Sequence, residues 1–354
     1  MQIDDLYKDV VELLKQLITI PSFSKEEGET AQVISDFFTV RNINARRHLN
    51  NIWAINKYFD ASKPSILLNS HHDTVKPNPG YTRDPFSATV EYGKLYGLGS
   101  NDAGGPLVSL IAAFLYFYEV DDLPFNLVFV ASAEEEITGK NGIEAVLPFL
   151  PPIESAIVGE PTLTQLAVAE KGLMVLDCTA TGRAGHAARE EGENAIYLAL
   201  NDIEWFRSFV FPKASAALGP VKMTVTVIRT GNVAHNMVPS ECNFVVDIRV
   251  TDVYSHEEIL QVIRQHVKSA VVPRSMRLRS SGIAAEHPLV KSGLALGKKT
   301  YGSPTTSDQA LIPVPSLKCG PGDSARSHTA DEYIYLHEIK EGIEVYVGLL
   351  EGMR

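Results

Sequence analysis

Three short apolar runs decide how this chain is read: Ser65-Ile66-Leu67-Leu68-Asn69, Asn126-Leu127-Val128-Phe129-Val130-Ala131 and Ser155-Ala156-Ile157-Val158. Each has the length and composition of a buried strand. Each then runs straight into ionisable residues, at His71-His72-Asp73, Glu134-Glu135-Glu136 and Gly159-Glu160-Pro161 respectively. Open α/β sheets place their sites at the C-terminal ends of strands, so three strands delivering charge there already suggest a site. The runs alternate with helical stretches over the first 160 residues, the pattern of an α/β sheet. Leu6, Val10, Leu13, Leu14 and Leu17 recur at helical spacing, which predicts an amphipathic helix ending near Pro21.

Further along, the pattern changes. Met223, Val225 and Val227 alternate with Thr224 and Thr226, and Phe244, Val246, Ile248 and Val250 alternate with Val245, Asp247 and Arg249. Period-two patterning belongs to sheets with one wet face. Helices are expected near Asn194–Ser208 and Ser255–Ala270, the second burying Ile259, Val262, Ile263, Val267 and Ala270. This stretch reads as a smaller α+β domain, and the tail after Ala284 returns to helix-and-loop character.

Composition bounds the function. The chain has 354 residues, 32 Lys plus Arg against 43 Asp plus Glu, and a formal charge of −11. An acidic balance argues against a nucleic-acid partner and against an anionic membrane surface. No apolar run approaches the roughly 18–20 residues that span a bilayer. The N-terminus lacks the basic start and apolar core of a signal peptide, and the three cysteines share no CxxC, so a cytoplasmic protein is expected.

The polar clusters are ambiguous one at a time. His71-x-Asp73 suits a metal ligand with its carboxylate orienter, or an ordinary loop hydrogen bond. Asp102, in Gly97-Leu98-Gly99-Ser100-Asn101-Asp102-Ala103-Gly104-Gly105, could cap the following helix; the segment lacks the GKS or GKT of a P-loop and the glycine spacing of a dinucleotide fingerprint. Adjacent carboxylates at Glu134-Glu135-Glu136 repel, a conflict that a cation or simple exposure resolves.

Together, five segments are far more specific: Ser70-His71-His72-Asp73-Thr74-Val75, Gly99-Ser100-Asn101-Asp102-Ala103-Gly104-Gly105, Ala133-Glu134-Glu135-Glu136, Val158-Gly159-Glu160-Pro161-Thr162 and Ser327-His328-Thr329-Ala330-Asp331-Glu332. In order and spacing they resemble the zinc-dependent amidohydrolase and peptidase family of acetylornithine deacetylase, succinyl-diaminopimelate desuccinylase, aminoacylase and carboxypeptidase G. The resemblance covers nearly the whole chain. It implies two Zn²⁺ per chain (sites that Co²⁺ could also fill), one held by His71, Asp102 and Glu160 and the other by the bridging Asp102, Glu136 and His328. It also implies that Asp73 orients His71 and that Glu135 is the general base. The alternative frame, with base Glu134 and ligand Glu135, stays open on sequence. His72 should point away from His71 and Asp73 by strand alternation.

The same resemblance makes His186, in Gly185-His186-Ala187, a histidine that reaches a dimer partner's site and donates to an oxyanion. Asn236 and Arg249 become substrate-binding residues, Arg249 for a substrate carboxylate, although a solvated strand arginine near Asp247 is the plainer reading. Thr305-Thr306-Ser307-Asp308-Gln309-Ala310 is similar to the family's Gly-Thr-Ser-Asp-x-Arg loop, which adds Thr306 and Ser307 as substrate-binding candidates. Here Thr305 replaces the glycine and Ala310 the arginine, which bears on the substrate. The implied architecture is a mixed-sheet α/β di-zinc domain from 1–170 and 284–354, with 171–283 inserted as an α+β dimerisation lid. The implied activity is deacylation of an N-acyl amino acid by a homodimer. N-acetyl- or N-succinyl-ornithine or citrulline of arginine biosynthesis ranks first, then succinyl-diaminopimelate, then a dipeptide or carboxypeptidase substrate. An inactive metal-binding relative is the non-enzymatic alternative.

Overall fold

The structure is a computed structural model and describes residues 2–189 and 191–354. The chain divides into two compact units, one of Met1–Val168, Gly282–Tyr301 and Ser307–Arg354, the other of Ala169–Ser281 and Gly302–Thr306.

The first unit is built on a mixed sheet. Its centre is parallel, in the order Asn126–Ser132, Ser65–His71, Ser155–Gly159, Ser316–Cys319. Asn51–Ile55 pairs antiparallel outside Asn126–Ser132, and Leu166–Glu170 pairs antiparallel with Ser316–Cys319. Strand alternation divides the buried side chains between two cores. Ile66, Leu68, Leu127, Phe129, Ala131 and Ile157 point to one face, whereas Leu67, Val128, Val130, Ala156 and Val158 point to the other. The first face is covered by the helix Gly105–Phe117, which packs against Ile3–Ile18 and Leu336–Glu351. Of its residues only Tyr116 is not buried, so it lies inside a layer of other helices. In Ile3–Ile18, Leu6, Val10, Leu13, Leu14 and Leu17 are all buried, as their spacing predicts. No helix among the described residues is long and apolar enough to cross a membrane.

The parallel register brings four strand ends to one edge of the sheet. His71 pairs with Ser132, Asn69 with Val158, and Gly159 with Cys319. The loops leaving those ends carry His71–Asp73, Glu134–Glu136, Glu160 and, nine residues past Cys319, His328. The fourth strand corrects the sequence reading of the tail, which expects helix and loop there. Ser316-Leu317-Lys318-Cys319 is too short and too mixed to stand out by periodicity, and it is extended because it fills a slot between two strands.

The second unit is a four-stranded antiparallel sheet in the order Lys222–Arg229, Glu241–Val250, Gly172–Thr181, Ala270–Pro273. Phe244, Val246, Ile248 and Val250 turn inward with Met174, Leu176 and Cys178 beneath the helices Ala195–Ser208 and His256–His266. Asn194 and Ser255 cap those helices, the latter in a reciprocal capping box with Glu258. The second helix ends earlier than its apolar spacing suggests: Ala270 is exposed and begins the edge strand, and Val262 is only partly buried.

Candidate metal centre

His71 ends its strand with its ring 1% exposed. Its Nδ1 lies 3.0 Å from the Asp73 carbonyl oxygen and 3.4 Å from Asp73 Oδ1. A proton on Nδ1 satisfies both and leaves the Nε2 lone pair for an electrophile. Nε2 faces three carboxylates, Asp102 Oδ1 at 3.3 Å, Glu160 Oε1 at 3.8 Å and Glu135 Oε2 at 3.9 Å. The other oxygen of Asp102 faces a second imidazole, with Oδ2 3.7 Å from His328 Nε2, which is itself 3.0 Å from Glu136 Oε2. Asp102 is thus shared by a His71/Glu160/Glu135 group and a His328/Glu136 group.

The donor set fits divalent metal. Imidazole and carboxylate ligands at about 2.0–2.2 Å from a tetrahedral ion stand about 3.3–3.6 Å from one another, close to the 3.0–3.8 Å separations of the ligand candidates here. His71, Asp102 and Glu136, and likewise His71, Glu135 and Glu160, offer ligand atoms within 4.8 Å of one another. Electrostatics points the same way, since four carboxylates converge on two imidazoles. Burial opposes a charge on His71, yet Glu135, Asp102, Asp73 and Glu160 together hold its pKa well above the ordinary imidazole value. The hydrogen bond to Glu136 raises His328 to about 9. Burial pushes Glu135 well above the usual carboxylate range, with Glu160, Asp308 and Glu136 adding to the rise against the pull of His71. A site that draws protons this strongly also draws cations.

The acidic turn is held by its backbone. Glu134 has a positive φ of 54°, and three successive N–H groups each meet a buried carboxylate. Glu134 N–H donates to Glu27 Oε1 (3.1 Å), Glu135 N–H to Asp73 Oδ1 (3.0 Å) and Glu136 N–H to Asp73 Oδ2 (3.2 Å). Asp73 therefore orients the turn as well as His71, and Ser24 Oγ donates to it at 2.7 Å. The Glu134 side chain leaves the cluster and accepts from Asn141 Nδ2 at 2.8 Å. It also packs on Gly139, where a Cβ would lie 1.9 Å from Glu134 Oε2. Glu135 and Glu136 are the two that face the cluster. His72 points the other way, its ring nitrogens 2.9 Å from Thr30 Oγ1 and 2.9 Å from the Asn50 carbonyl, and burial lowers its pKa to about 4.

Sequence reasoning assigned no role to several residues here. Glu27 has no signature beyond its place before a helix. Glu332, inside the His328 motif, accepts the N–H groups of Asn101 and Asp102, and burial followed by the Asp102 charge raises it to about 8. Asp308 is buried, accepting from Ser132 Oγ at 2.5 Å and from the Asn69 amide at 3.2 Å; its pKa rises to about 6, chiefly through burial. Ser307 caps the short helix Asp308–Leu311 and is 3% exposed, and Ala310 is buried within that helix.

The remaining candidates lie in the second unit. Gly185–His186 pairs with Met237–Val238, and Ala187 N–H donates to the Asn236 carbonyl at 3.0 Å, so His186 and Asn236 share one exposed corner. His186 Nδ1 accepts from Ala188 N–H (3.2 Å), which puts the proton of the neutral ring on Nε2. The Arg249 fork is engaged by Asp247 (2.8 and 3.1 Å), and its third nitrogen reaches Thr306 Oγ1 at 3.4 Å. Thr306 in turn donates to the Lys171 carbonyl at 3.1 Å.

A mixed sheet with a histidine–carboxylate centre at its parallel strand ends describes a metallohydrolase, and residues 67–352 match Peptidase family M20/M25/M40. The chain belongs to that family and is a metal-dependent amidohydrolase. It is 25% identical over 361 residues to a succinyl-diaminopimelate desuccinylase of Cereibacter sphaeroides, with 95% of this chain and 94% of the relative covered. It is 27% identical over 358 residues to a [LysW]-lysine/[LysW]-ornithine hydrolase of Sulfurisphaera tokodaii, covering 98% and 96%. An M20 family metallo-carboxypeptidase from Sulfolobus solfataricus shares the fold, with a TM-score of 0.77 at 16% identity over 97% of this chain and 98% of that one.

Proposed function

We propose that this protein hydrolyses the amide of an N-acylated amino acid at a dinuclear zinc centre, releasing a carboxylic acid and a free amine. The observation that carries the reading is the placement of Asp102, one oxygen toward His71 and the other toward His328. His71, Asp102 and Glu160 would hold one ion, and Asp102, Glu136 and His328 the other. Bound there, the metal ions supply Lewis acidity, polarising the scissile carbonyl and bringing the pKa of water toward neutrality. Glu135 removes the proton of the attacking water as its oxygen bonds to the carbonyl carbon. It then returns that proton to the amide nitrogen as the carbon–nitrogen bond breaks. Asp73 keeps the Nδ1 proton of His71 in place and fixes the Glu135–Glu136 backbone.

In this reading residues 171–283 form a dimerisation lid. The strand Lys222–Arg229 lies at the edge of its sheet, the kind of edge that pairs with a second copy. His186 then donates from Nε2 to the oxyanion of the partner's substrate. Asn236, Arg249, Thr306 and Ser307 line the substrate, with Arg249 exchanging part of its Asp247 pairing for a substrate carboxylate.

The substrate reading rests on the two curated relatives, whose names share the release of a diamino acid. N-acetyl- and N-succinyl-ornithine or citrulline and N-succinyl-diaminopimelate form the candidate set, and the relatives' names favour the last as much as the first. Measuring amine release from that panel, with and without a chelator, tests the reading. Chelator-sensitive turnover of at least one acyl amino acid is expected. No turnover of any, with metal loaded, would overturn the acyl-amino-acid reading and turn the search to dipeptide and carboxypeptidase substrates.

A further inference from the structure

The loops that carry Asp102 and His328 come from distant parts of the sequence, and a buried carboxylate is one of the groups that join them. Glu332 is 2% exposed, and its Oε1 accepts both Asn101 N–H (2.8 Å) and Asp102 N–H (3.0 Å). It lies four residues past His328, on the same short loop. Asn101 adds a second tie to that loop. Its Nδ2 donates to the Asp323 carbonyl at 3.0 Å and its Oδ1 accepts Asp323 N–H at 3.1 Å. A buried carboxylate beside Asp102 is unfavourable in itself, because two like charges share a site of low dielectric. Here it is compensated by donors at the root of the Asp102 side chain, so its bonds constrain the direction in which Asp102 projects.

The geometry points to Glu332 as a positioning residue that ties the His328 loop to the Asp102 backbone, and so sets the 3.7 Å gap between Asp102 Oδ2 and His328 Nε2. This inference rests on the dinuclear reading, in which the second metal ion occupies that gap. Neighbouring Asp331 provides a contrast. Its carboxylate accepts from Thr82 N–H (2.9 Å), Thr82 Oγ1 and Arg83 N–H (3.0 Å), holding the same loop without reaching Asp102.

Zinc titration of metal-stripped protein against a chromophoric chelator tests this, with thermal melts of each metal-free protein alongside. Wild type is expected to bind two ions. Glu332→Ala, and Glu332→Asp with its shorter reach, should keep one site and weaken the other about 10- to 100-fold. Asp331→Ala should bind both ions as wild type does. If Glu332→Ala does not fold without metal, Glu332→Asp carries the comparison. A wild type that binds one ion or none overturns the dinuclear reading, and the inference with it. A two-ion wild type matched by the Glu332 variants overturns the positioning role alone. So does a loss in Asp331→Ala equal to that in Glu332→Ala, which would mean that any loosening of the loop suffices.

Discussion

The metal centre and the His186–Asn236 corner are built on opposite principles. In the first, buried carboxylates grip backbone: Glu27 holds Glu134, Asp73 holds Glu135 and Glu136, and Glu332 holds Asn101 and Asp102. Each candidate ligand from those turns has little freedom left, so the cost of ordering it is met by folding rather than by binding. In the second, His186 sits exposed on a two-residue ladder with Asn236 exposed just before its partner strand, and Arg249 is occupied by a neighbouring carboxylate. Under the proposed function, the exposed corner would meet the substrate and gain from such freedom, whereas groups that would hold metal lose by it.

The largest expected effect lies in the rigid region. Glu135→Gln should cut kcat about 10²- to 10⁴-fold, the usual worth of a positioned acid–base group, while metal content stays at the wild-type value. Metal loss in this variant instead, with full retention in Glu136→Gln, would exchange the roles of the two residues. Removing the exposed histidine should cost less. His186→Ala is expected to lower kcat by about 10²- to 10³-fold, as for a lost oxyanion donor. If that donor acts across a dimer, mixing the two inactive variants with subunit exchange should restore up to roughly a quarter of wild-type activity. No recovery after confirmed exchange would confine His186 to its own chain or remove it from the chemistry.

A third effect separates the regions by stability rather than rate. His72, buried behind the metal centre, has its pKa lowered from 6.5 to about 4. The unfolded chain therefore binds the proton more readily, so stability is full above about pH 6.5 and falls as pH drops toward 4. The loss approaches about 3 kcal/mol. Denaturant melts from pH 7 to pH 4 should show this slope, and His72→Gln should flatten it; an unchanged slope would assign the acid sensitivity to other groups. The smallest effect belongs to Arg249. Arg249→Lys should raise KM several-fold with kcat nearly constant, because an ammonium cannot make the fork that a carboxylate accepts. A fall in kcat at unchanged KM would contradict a role in substrate binding.

The sequence by itself determined three central strands of the first sheet and the candidate ligands at their ends. Continuous apolar runs ending in His, Asp and Glu are readable because burial on both sides of a parallel sheet leaves no alternation, and because charge next to such a run needs a reason. Motif order carried the family. The tertiary structure decided the rest. The strand Ser316–Cys319 carries no periodic signal and is extended because its neighbours offer a ladder on both sides. Which two of three consecutive glutamates face the cluster depends on the positive φ at Glu134 and on an asparagine seven residues on, neither visible in local spacing. Glu27, Asp308 and Glu332 gain their places from partners far away in sequence. A carboxylate's environment is set by what folds against it, and one-dimensional spacing records only what lies within a few residues.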